Sequence, residues 1–220
     1  MRNTRRVSNG YDLTGEGFPV VQETPERQPT YHPADALRHP YVAFNGSNVL
    51  CTAEAFVCYS NHTVFAVAKA DGLTYDGNDL FGGGDWSPGT VVILSSLRND
   101  YRGIYFKEDS YQYALVNSAG AASLAPAVYG MWMDDAELRL CRDGLPHGSA
   151  AFAGPRTNLL KRVSLGYRLN GSPNGLGLIG RISEVLVYDR ALADGERQQI
   201  GVYLYEKWIM PRKGTILSLR

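Results

Sequence analysis

Three glycines near the C-terminal end of the chain have the spacing of a phosphate-binding loop. Gly175, Gly177 and Gly180 form a G-x-G-x-x-G in the stretch GLGLIG. In a dinucleotide site this motif follows a strand and opens a helix, whose N-terminus faces the phosphates. Here a turn-forming stretch, LNGSPNG, precedes the glycines, and RISEVLVY, rich in β-branched residues, follows them. We therefore reject a dinucleotide site and expect the glycines to shape a bend or to let another backbone pass close.

Hard oxygen donors are concentrated in the glycine-rich segment YDGNDLFGGGDW, residues 75–86. It resembles one copy of the nonapeptide of a calcium β-roll, a structure in which several stacked copies complete each site. Carboxylate and amide oxygens are ligands that suit Ca²⁺. The candidate ligands are Asp76, Asn78, Asp79 and Asp85. A single copy leaves two interpretations open, a Ca²⁺ site and a glycine-rich loop without a metal, and no other cofactor is predicted.

Aromatic side chains are the candidate contacts to a ligand or to another protein. The same loop carries Tyr75 and Trp86, and the segment NDYRGIYFKEDSYQYAL carries Tyr101 and Tyr105. Such rings stack on sugars in a lectin and act as anchors in protein–protein interfaces. Tyrosines that alternate along a strand are also ordinary half-buried sheet positions. Both interpretations stay open for the strand tyrosines.

Composition and charge argue against two classes of partner. The 22 Lys and Arg residues equal the 22 Asp and Glu residues, so no global field attracts nucleic acid or an anionic membrane. The apolar runs are far shorter than a membrane span. The first residues, MRNTRRVSNGYDL, contain no apolar stretch after the basic residues, so we expect no secretion signal. We predict neither nucleic-acid nor membrane binding.

Short strands separated by turns are the elements that must position these residues. HTVFAVAKADG and KRVSLGYRLNG alternate in the manner of strands, and Asp143-Gly144 in AELRLCRDGLPHG is a two-residue hairpin signal. Many such strands predict an antiparallel sandwich or barrel. A length of 220 residues suits one large β domain.

The chain closes with a strand and a helix. Asp194 can cap the helix, because its carboxylate can accept from the first free N–H groups. Pro211 then ends the helix. An apolar stripe at helical spacing gives the helix a buried face of about four turns. Its residues are Ile200, Tyr203, Leu204, Lys207 and Trp208.

The segment GRISEVLVYDRALADGERQQIGVYLYEKW resembles the C-terminal signature of laminin-G-like domains of the concanavalin A-like lectin/glucanase superfamily. The shared features are a strand with Ile-x-Glu-x-x-x-Tyr, a short loop, and a helix that ends at Lys-Trp. The segments RQPTYHPADALRHPYVAFNGSNVL, HTVFAVAKADG and AELRLCRDGLP resemble the family's entry segment, second strand and hairpin. The resemblance implies an all-β fold, an antiparallel jelly-roll sandwich of two sheets with one C-terminal amphipathic helix. It places the domain at 8–209, between an N-terminal arm at 1–7 and a C-terminal tail at 210–220.

The fold hosts enzymes, lectins and structural modules, so the resemblance leaves catalysis open. The superfamily's glucanases carry their acid and nucleophile on one strand as Glu-x-Asp-x-Glu, because alternate residues share a face. This triplet is absent from the sequence, and its four histidines and three cysteines lack metal-ligand spacing. We therefore predict no catalytic residues and no enzyme activity. Glu184 shares strand parity with Ile182, Leu186 and Tyr188, and we favour a carboxylate paired with an arginine or backbone N–H groups over a buried catalytic acid.

Chains consisting of one such domain resemble virion proteins of tailed phages. The resemblance implies a non-catalytic capsid decoration or cement protein, or a tail protein, located in the virion and bound to other virion proteins or to copies of itself. The basic ends would serve as docking arms. Their residues are Arg2, Arg5, Arg6, Arg212 and Lys213. The alternative is a lectin-like module that binds a glycan, and a third interpretation is a glycoside hydrolase or lyase with an unrecognised site.

Overall fold

A computed structural model describes most of the chain. The described residues are 5–10, 18–34, 39–53, 56–58, 61–72, 78–83, 93–97, 101–106, 113–117, 124–134, 136–152, 159–167 and 177–210. In chain order the strands are β1 (Arg5–Arg6), β2 (Asn9–Gly10), β3 (Val20–Val21), β4 (Thr30–His32), β5 (Tyr41–Asn45), β6 (Leu50–Thr52), β7 (Phe56–Cys58), β8 (His62–Ala70), β9 (Asp79–Gly83), β10 (Ile93–Leu97), β11 (Tyr101–Phe106), β12 (Tyr113–Asn117), β13 (Ala127–Met133), β14 (Glu137–Arg142), β15 (Leu145–Ala151), β16 (Leu159–Lys161), β17 (Val163–Leu165) and β18 (Ile179–Tyr188). A short 3-10 helix covers Pro25–Arg27, and the α-helix α1 covers Asp194–Trp208.

Two antiparallel sheets of eight strands build the domain. The first sheet has the order β1-β4-β5-β18-β8-β13-β14-β15, and the second has the order β12-β11-β10-β9-β17-β6-β3-β2. A small third sheet pairs β16 with β7. The predicted all-β jelly-roll sandwich with a C-terminal helix is confirmed. Among the described residues, no helix is both long enough and apolar enough to cross a bilayer.

The sandwich core lies between the two sheets. Its largest fully buried aliphatic side chains come from strands of both sheets and from the segment before β18. They are Leu80, Leu97, Met131, Met133, Leu138, Leu140 and Leu178. Burial of this apolar surface is the dominant favourable term in folding, and it fixes which face of each strand points inward.

A β-bulge in β18 reverses the alternation expected from the sequence. Ile182 pairs with Ala68, but Glu184 pairs with Val67, so Ser183 is an extra residue. Ile182 and Ala68 pack in the sandwich core, whereas Val67 belongs to a second apolar cluster on the outer face. The prediction that Ile182 and Glu184 share a face is therefore wrong, because one inserted residue turns the following side chains to the opposite face.

Two of the three motif glycines lie where another backbone passes close. A Cβ atom at Gly180 would lie 2.1 Å from the carbonyl oxygen of Lys69, and one at Gly177 would lie 2.4 Å from that of Gly46. Real Cβ atoms do not approach that closely, so both positions require glycine. The expected close approach is confirmed for Gly177 and Gly180, and Gly180 lies in β18 rather than at the start of a helix.

The two-residue hairpin between β14 and β15 is confirmed. Asp143 and Gly144 have φ angles of 51° and 80°, as a type I′ turn requires. Arg142 and Leu145 pair directly across the turn. The carboxylate of Asp143 also accepts from the N–H of Val128 at 2.8 Å, which ties the hairpin tip to the start of β13.

Helix α1 packs on the outer face of the first sheet. Leu204 is only 1% exposed and lies in the second apolar cluster, where Trp208 and Ile200 are partly buried. The guanidinium of Arg197 lies 4.2 Å from the centre of the Trp132 ring. The predicted stripe is confirmed at Leu204 and Trp208, but Tyr203 is 48% exposed.

The helix begins one residue earlier than expected. Ala193 is the N-cap residue, and its N–H donates to the Glu196 carboxylate at 2.8 Å. Asp194, the predicted cap, is the first helical residue, and its carboxylate accepts from Arg197. The residue three positions into the helix therefore performs the capping, because its side chain reaches back to the N-cap N–H.

Candidate functional site

A polar groove lies on the outer face of the first sheet, where β1, β4 and β5 meet. Its volume is about 230 Å³. Val42 and Phe44 pack into the core, so Ala43 between them points outward, and its partner across the strands, Thr30, points the same way. The side chain of Ala43 is only a methyl group, so the strand surface at the bottom of the groove leaves space above it. Arg6 and the 3-10 helix form its side.

Amide groups hold the wall of the groove in place. The side-chain N–H of Gln28 donates to the carbonyl of Gln22 at 2.9 Å, and that of Asn48 donates to the carbonyl of Gln28 at 3.1 Å. The side-chain oxygen of Asn48 accepts from the N–H of Asn45 at 3.0 Å. Arg6 donates to the carbonyl of Pro25 at 3.0 Å. These bonds fix the wall before any ligand arrives, which lowers the ordering cost of binding.

Other polar groups of the groove remain available. Within the described part of the chain, the side chains of Glu26, Thr30 and His32 make no hydrogen bond or ion pair to another residue. All three line the groove. Together with Arg6 they offer a donor, an acceptor and two groups that both donate and accept. The groove therefore suits a ligand rich in hydroxyl groups.

Three flat side chains form a stack beside the groove. The rings of His32 and Tyr41 lie 4.7 Å apart and are parallel to within 3°. The guanidinium carbon of Arg181 lies 4.8 Å from the centre of the Tyr41 ring. The three residues come from β4, β5 and β18, which are adjacent in the sheet. His32 belongs to both features, so the stack and the groove are continuous.

Tyr101, a predicted ligand or interface residue, is a core residue instead. It is 1% exposed, and its hydroxyl donates to the carbonyl of Gly130 at 3.1 Å. Its ring lies 4.9 Å from that of Tyr129. The prediction is wrong for Tyr101 because the side chain points between the sheets. Tyr105 lies in β11, where its backbone pairs with Ile93 and Ala114.

Two of the four predicted Ca²⁺ ligands lie in the described part of the chain, and both are buried. The amide of Asn78 is occupied, since its N–H donates to Gly72 at 2.8 Å and its oxygen accepts from Ile179 at 2.9 Å. Asp79 is fully buried in β9. Within the described residues, no three His, Cys, Asp or Glu side chains are grouped to hold a metal ion. The Ca²⁺ site stays a prediction.

Several other predicted residues lie outside the described residues. They are Tyr75, Asp76, Asp85, Trp86, Arg2, Arg212 and Lys213.

The predicted N-terminal arm is partly built into the sheet. Arg5 and Arg6 form β1 and pair with Tyr31 and Thr30 of β4. The docking-arm prediction is therefore wrong in placing these two arginines outside the domain, because their backbone completes the edge of the first sheet. Arg6 instead lines the groove.

Glu184 is a paired carboxylate, as favoured, but with unexpected partners. Lys207 donates to it at 3.0 Å, and the indole N–H of Trp208 donates to the same carboxylate. Burial lowers the pKa of Lys207, but hydrogen bonds with Tyr203 and Glu184 outweigh this and raise the pKa above its usual value. The carboxylate therefore joins β18 to the last turn of the helix.

The described cysteine side chains are buried thiols. Burial raises the pKa of Cys141 to about 11 and also raises that of Cys51. A thiol with a raised pKa holds little of the reactive thiolate at neutral pH. These two residues therefore act as small apolar side chains, as expected.

Sequence reasoning missed the groove. Thr30 and His32 are alternate residues of the segment TYH, and Ala43 lies in the middle of YVAFN. Such alternation predicts which side chains share a face of a strand, but it does not indicate a binding site. Arg181 meets them from 138 residues beyond Ala43, a pairing that local patterns do not predict.

Comparison with solved structures places the chain among jelly-roll β-sandwich domains. Domain 4 of AbnA, a GH43 extracellular arabinanase from Geobacillus stearothermophilus solved in complex with arabinotriose, is 15% identical, with 86% of this chain and 91% of that chain covered and a TM-score of 0.63. The SAP-like pentraxin from Limulus polyphemus is 13% identical, with 76% and 84% covered and a TM-score of 0.59.

A third neighbour is the CBM40 of the Ruminococcus gnavus IT-sialidase, bound to α2,3-sialyllactose. It is 12% identical, with 73% of this chain and 96% of that chain covered and a TM-score of 0.57. At these identities the likeness defines the fold alone. No protein-family model matches the sequence, and no curated protein does so.

Proposed function

We propose that this chain is a non-catalytic carbohydrate-binding module whose ligand lies in the polar groove at β1, β4 and β5. The observation that carries the proposal is a preformed hollow of about 230 Å³ whose lining keeps polar groups available. A sugar hydroxyl both donates and accepts hydrogen bonds. The guanidinium of Arg6 only donates, the carboxylate of Glu26 only accepts, and the hydroxyl of Thr30 does both. This combination matches neighbouring hydroxyls on one ring.

Two structural neighbours support the proposal. Domain 4 of AbnA was solved with arabinotriose, and the CBM40 of the IT-sialidase was solved with α2,3-sialyllactose. Both are binding examples on a similar sandwich. They support a sugar ligand for this chain without defining which sugar it is.

The number of carboxylates in the groove supports sugar binding rather than glycoside hydrolysis. Glycoside hydrolysis uses two carboxyl groups about 5–9.5 Å apart. Glu26 is the single carboxylate among the described residues that line the groove. The absence of enzyme activity stays a prediction, and the virion interpretation finds no support in the structural comparisons and also stays a prediction.

Filling the groove tests the proposal. In Ala43→Met a longer side chain projects into the hollow, while the core-facing residues of β5 are unchanged. The matched control is Ala151→Met on the exposed edge strand β15, away from the groove. Both variants and the unmodified protein are applied to a glycan array that includes arabinotriose and α2,3-sialyllactose, and hits are titrated by calorimetry.

We expect the unmodified protein and Ala151→Met to bind the same glycans and Ala43→Met to lose at least tenfold in affinity. Glu26→Gln removes the acceptor charge with little change in shape and should weaken binding as well. Circular dichroism checks that each variant is folded. The proposal fails if no glycan binds, or if Ala43→Met binds as tightly as the control.

A further inference from the structure

Strand β15 forms one edge of the first sheet, at the opposite end from the groove. Among the described strands it pairs only with β14. Five of its seven residues are exposed, so its far edge is in contact with solvent. An exposed edge presents backbone N–H and C=O groups that can pair with a strand of another chain.

The backbone groups that face away from β14 can be assigned from the hydrogen bonds of the hairpin. The N–H of Phe152 donates to the carbonyl of Ala136 at 2.8 Å. Hydrogen-bonded pairs alternate along antiparallel strands, so Ala150 also bonds to β14. The alternate residues Ser149 and Ala151 therefore direct their N–H and C=O groups outward. Within the described residues, no other group bonds to them.

This edge lacks the features that keep most sheet edges from pairing, which are short length, charge and proline. The opposite edge of the same sheet, β1, has only two residues, and both are arginines. By contrast, the seven residues of β15, LPHGSAA, include no Asp, Glu, Lys or Arg. Its proline, Pro146, and the nearby bulge lie towards the hairpin turn, away from Ser149 and Ala151.

The same strand of a second copy is complementary to this edge. When two copies run antiparallel with Ala150 opposite its own symmetry mate, Ser149 of one copy lies opposite the partner's Ala151. Each such pair can exchange both of its N–H···O bonds, because the groups of both residues point outward. The residues that meet, 148–151, are Gly, Ser, Ala and Ala, so their small side chains allow the strands to approach.

The charges beside this edge are also complementary in that arrangement. Leu140 points into the core, so Arg139 and Glu137 lie on the outer face. Arg139 is the neighbour of Ser149, and Glu137 is the neighbour of Ala151. A line across the two copies therefore runs from Arg139 through Ser149 and the partner's Ala151 to the partner's Glu137. Opposite charges end each line, so these rows set no like charges against each other.

We propose that two copies of this chain dimerise by antiparallel pairing of β15 with β15, which joins their first sheets into one sheet of sixteen strands. Opposed residues of antiparallel strands point to the same side, so both grooves lie on one face of that sheet. Five strand steps separate β5 from β15, which places the two grooves about 53 Å apart along the sheet at ~4.8 Å per step.

The dimer does not depend on the proposed function, but its consequence for binding does. If the groove holds a glycan, the dimer attaches to a surface with many glycans at two points, and its apparent affinity rises without any new contact. A soluble oligosaccharide binds each groove separately, so its affinity is the same for monomer and dimer. Ala151→Met keeps the backbone groups of β15 and so remains the control for the groove in calorimetry.

The first test is sedimentation velocity of the full chain without sugar. Pairing of one strand gives a small interface, so we expect a reversible dimer within about 5 to 500 µM. Ser149→Pro removes the outward N–H, and an edge strand tolerates proline at such a position. It should raise the dissociation constant of the dimer at least tenfold. The matched control Ser149→Ala loses the same hydroxyl but keeps the N–H, and it should dimerise as the unmodified protein does.

Cysteine pairs test the register. In a non-hydrogen-bonded pair the two Cα atoms at position 150 lie about 4.5 Å apart, within the range of a disulfide. Ala150→Cys should therefore form a disulfide-linked dimer under mild oxidation. The two Cα atoms at position 151 are offset by two residues and lie about 8 Å apart, beyond that range. Ala151→Cys should cross-link more slowly, although position 151 is the more exposed of the two.

Amide hydrogen exchange measures the same contact without a substitution. The N–H groups of Ser149 and Ala151 should exchange quickly in dilute protein and at least tenfold more slowly when the protein is dimeric. The N–H of Ala150, which bonds to β14, should be protected at both concentrations. Protection of all three amides in dilute protein would overturn the proposal, because the edge would then be covered within one chain.

The remaining outcomes separate this proposal from the proposed function. A monomer at every concentration, equal dimerisation of Ser149→Pro and Ser149→Ala, or faster cross-linking of Ala151→Cys would each overturn the β15 dimer and leave the groove untouched. If the dimer forms and no glycan binds, only the proposed function fails. If both hold, Ser149→Pro should bind a dense glycan surface about tenfold or more weakly, with unchanged calorimetric affinity for the soluble sugar.

Discussion

Lys207 in the last turn of the helix donates to both carboxylate oxygens of Glu184 in β18, at 3.2 and 3.0 Å. The neighbouring Trp208 donates its indole N–H to the same carboxylate. Glu184 faces the helix because the bulge at Ser183 turns it away from the sandwich core. One carboxylate thus satisfies two donors of the helix and attaches its C-terminal turn to the sheet.

Two substitutions of Glu184 should lower the free energy of unfolding by different amounts. Glu184→Gln keeps an acceptor for the Trp208 indole but loses the ion pair, which is partly exposed, so we expect a loss of about 0.5–1 kcal/mol. Glu184→Ala also leaves the indole without its acceptor, so we expect about 1–3 kcal/mol. Urea unfolding measures both. A double-mutant cycle with Lys207→Met isolates the pair, and equal losses for the Gln and Ala variants would contradict the role of the indole.

The buried face of the helix should carry most of its packing energy. Leu204 is 1% exposed, and truncation to alanine removes buried methyl groups and leaves a cavity, so we expect a loss of about 2–5 kcal/mol. Val202 on the same helix is 50% exposed, and Val202→Ala should change the free energy of unfolding by less than about 0.5 kcal/mol. Thermal unfolding compares them, and similar melting temperatures for the two variants would show that the helix does not pack as described.

The Asn78 side chain should stabilise the fold by joining Gly72 to Ile179. Its amide bonds to Gly72 and Ile179, and its φ of 58° lies in the left-handed region. Asn78→Ala loses both bonds and strains the backbone, so we expect a loss of about 2–5 kcal/mol. Asn78→Gly loses the same bonds but accepts the positive φ. Chemical unfolding measures the free energy of unfolding of each variant, and we expect that of Asn78→Gly to be about 1 kcal/mol higher than that of Asn78→Ala. Equal values for the unmodified protein and both variants would contradict a stabilising role for the Asn78 side chain.

Stability should depend on pH through Glu196. Hydrogen bonds from Arg190, and then from the N–H of Ala193, lower the pKa of Glu196 to about 2. A lowered pKa in the folded state means that the ionised carboxylate stabilises the fold above pH ~4.5, and this contribution is lost as the pH falls towards about 2. The advantage of the unmodified protein over Glu196→Gln should therefore be full above pH 5 and vanish near pH 2.

The matched variant Arg190→Met removes the largest cause of that shift. It should bring the folded-state pKa of Glu196 back towards its usual value and flatten the pH dependence between pH 2 and 4.5. Unfolding midpoints measured across pH 2–7 follow both variants. A constant difference between the unmodified protein and Glu196→Gln over this range would show that the carboxylate is not held by these donors.

Features that depend on neighbouring residues could be predicted from the sequence. The hairpin at Asp143-Gly144 follows from the positive φ that its turn requires, and the helix after residue 193 follows from its apolar spacing. The glycines at 177 and 180 could be rejected as a cofactor loop because a strand, not a helix, follows them. In each case the deciding interaction lies within a few residues along the chain.

Features that depend on pairing between distant segments were decided by the tertiary structure. One extra residue, Ser183, inverts the alternation of β18, and local sequence patterns cannot show where a ladder of hydrogen bonds slips. The groove needs β5 to lie between β4 and β18, so that Ala43 meets Thr30 on one side and Arg181 on the other. Side-chain types and strand tendency are local properties of the sequence, whereas the neighbours across a sheet are chosen by the burial of both sheets against one core.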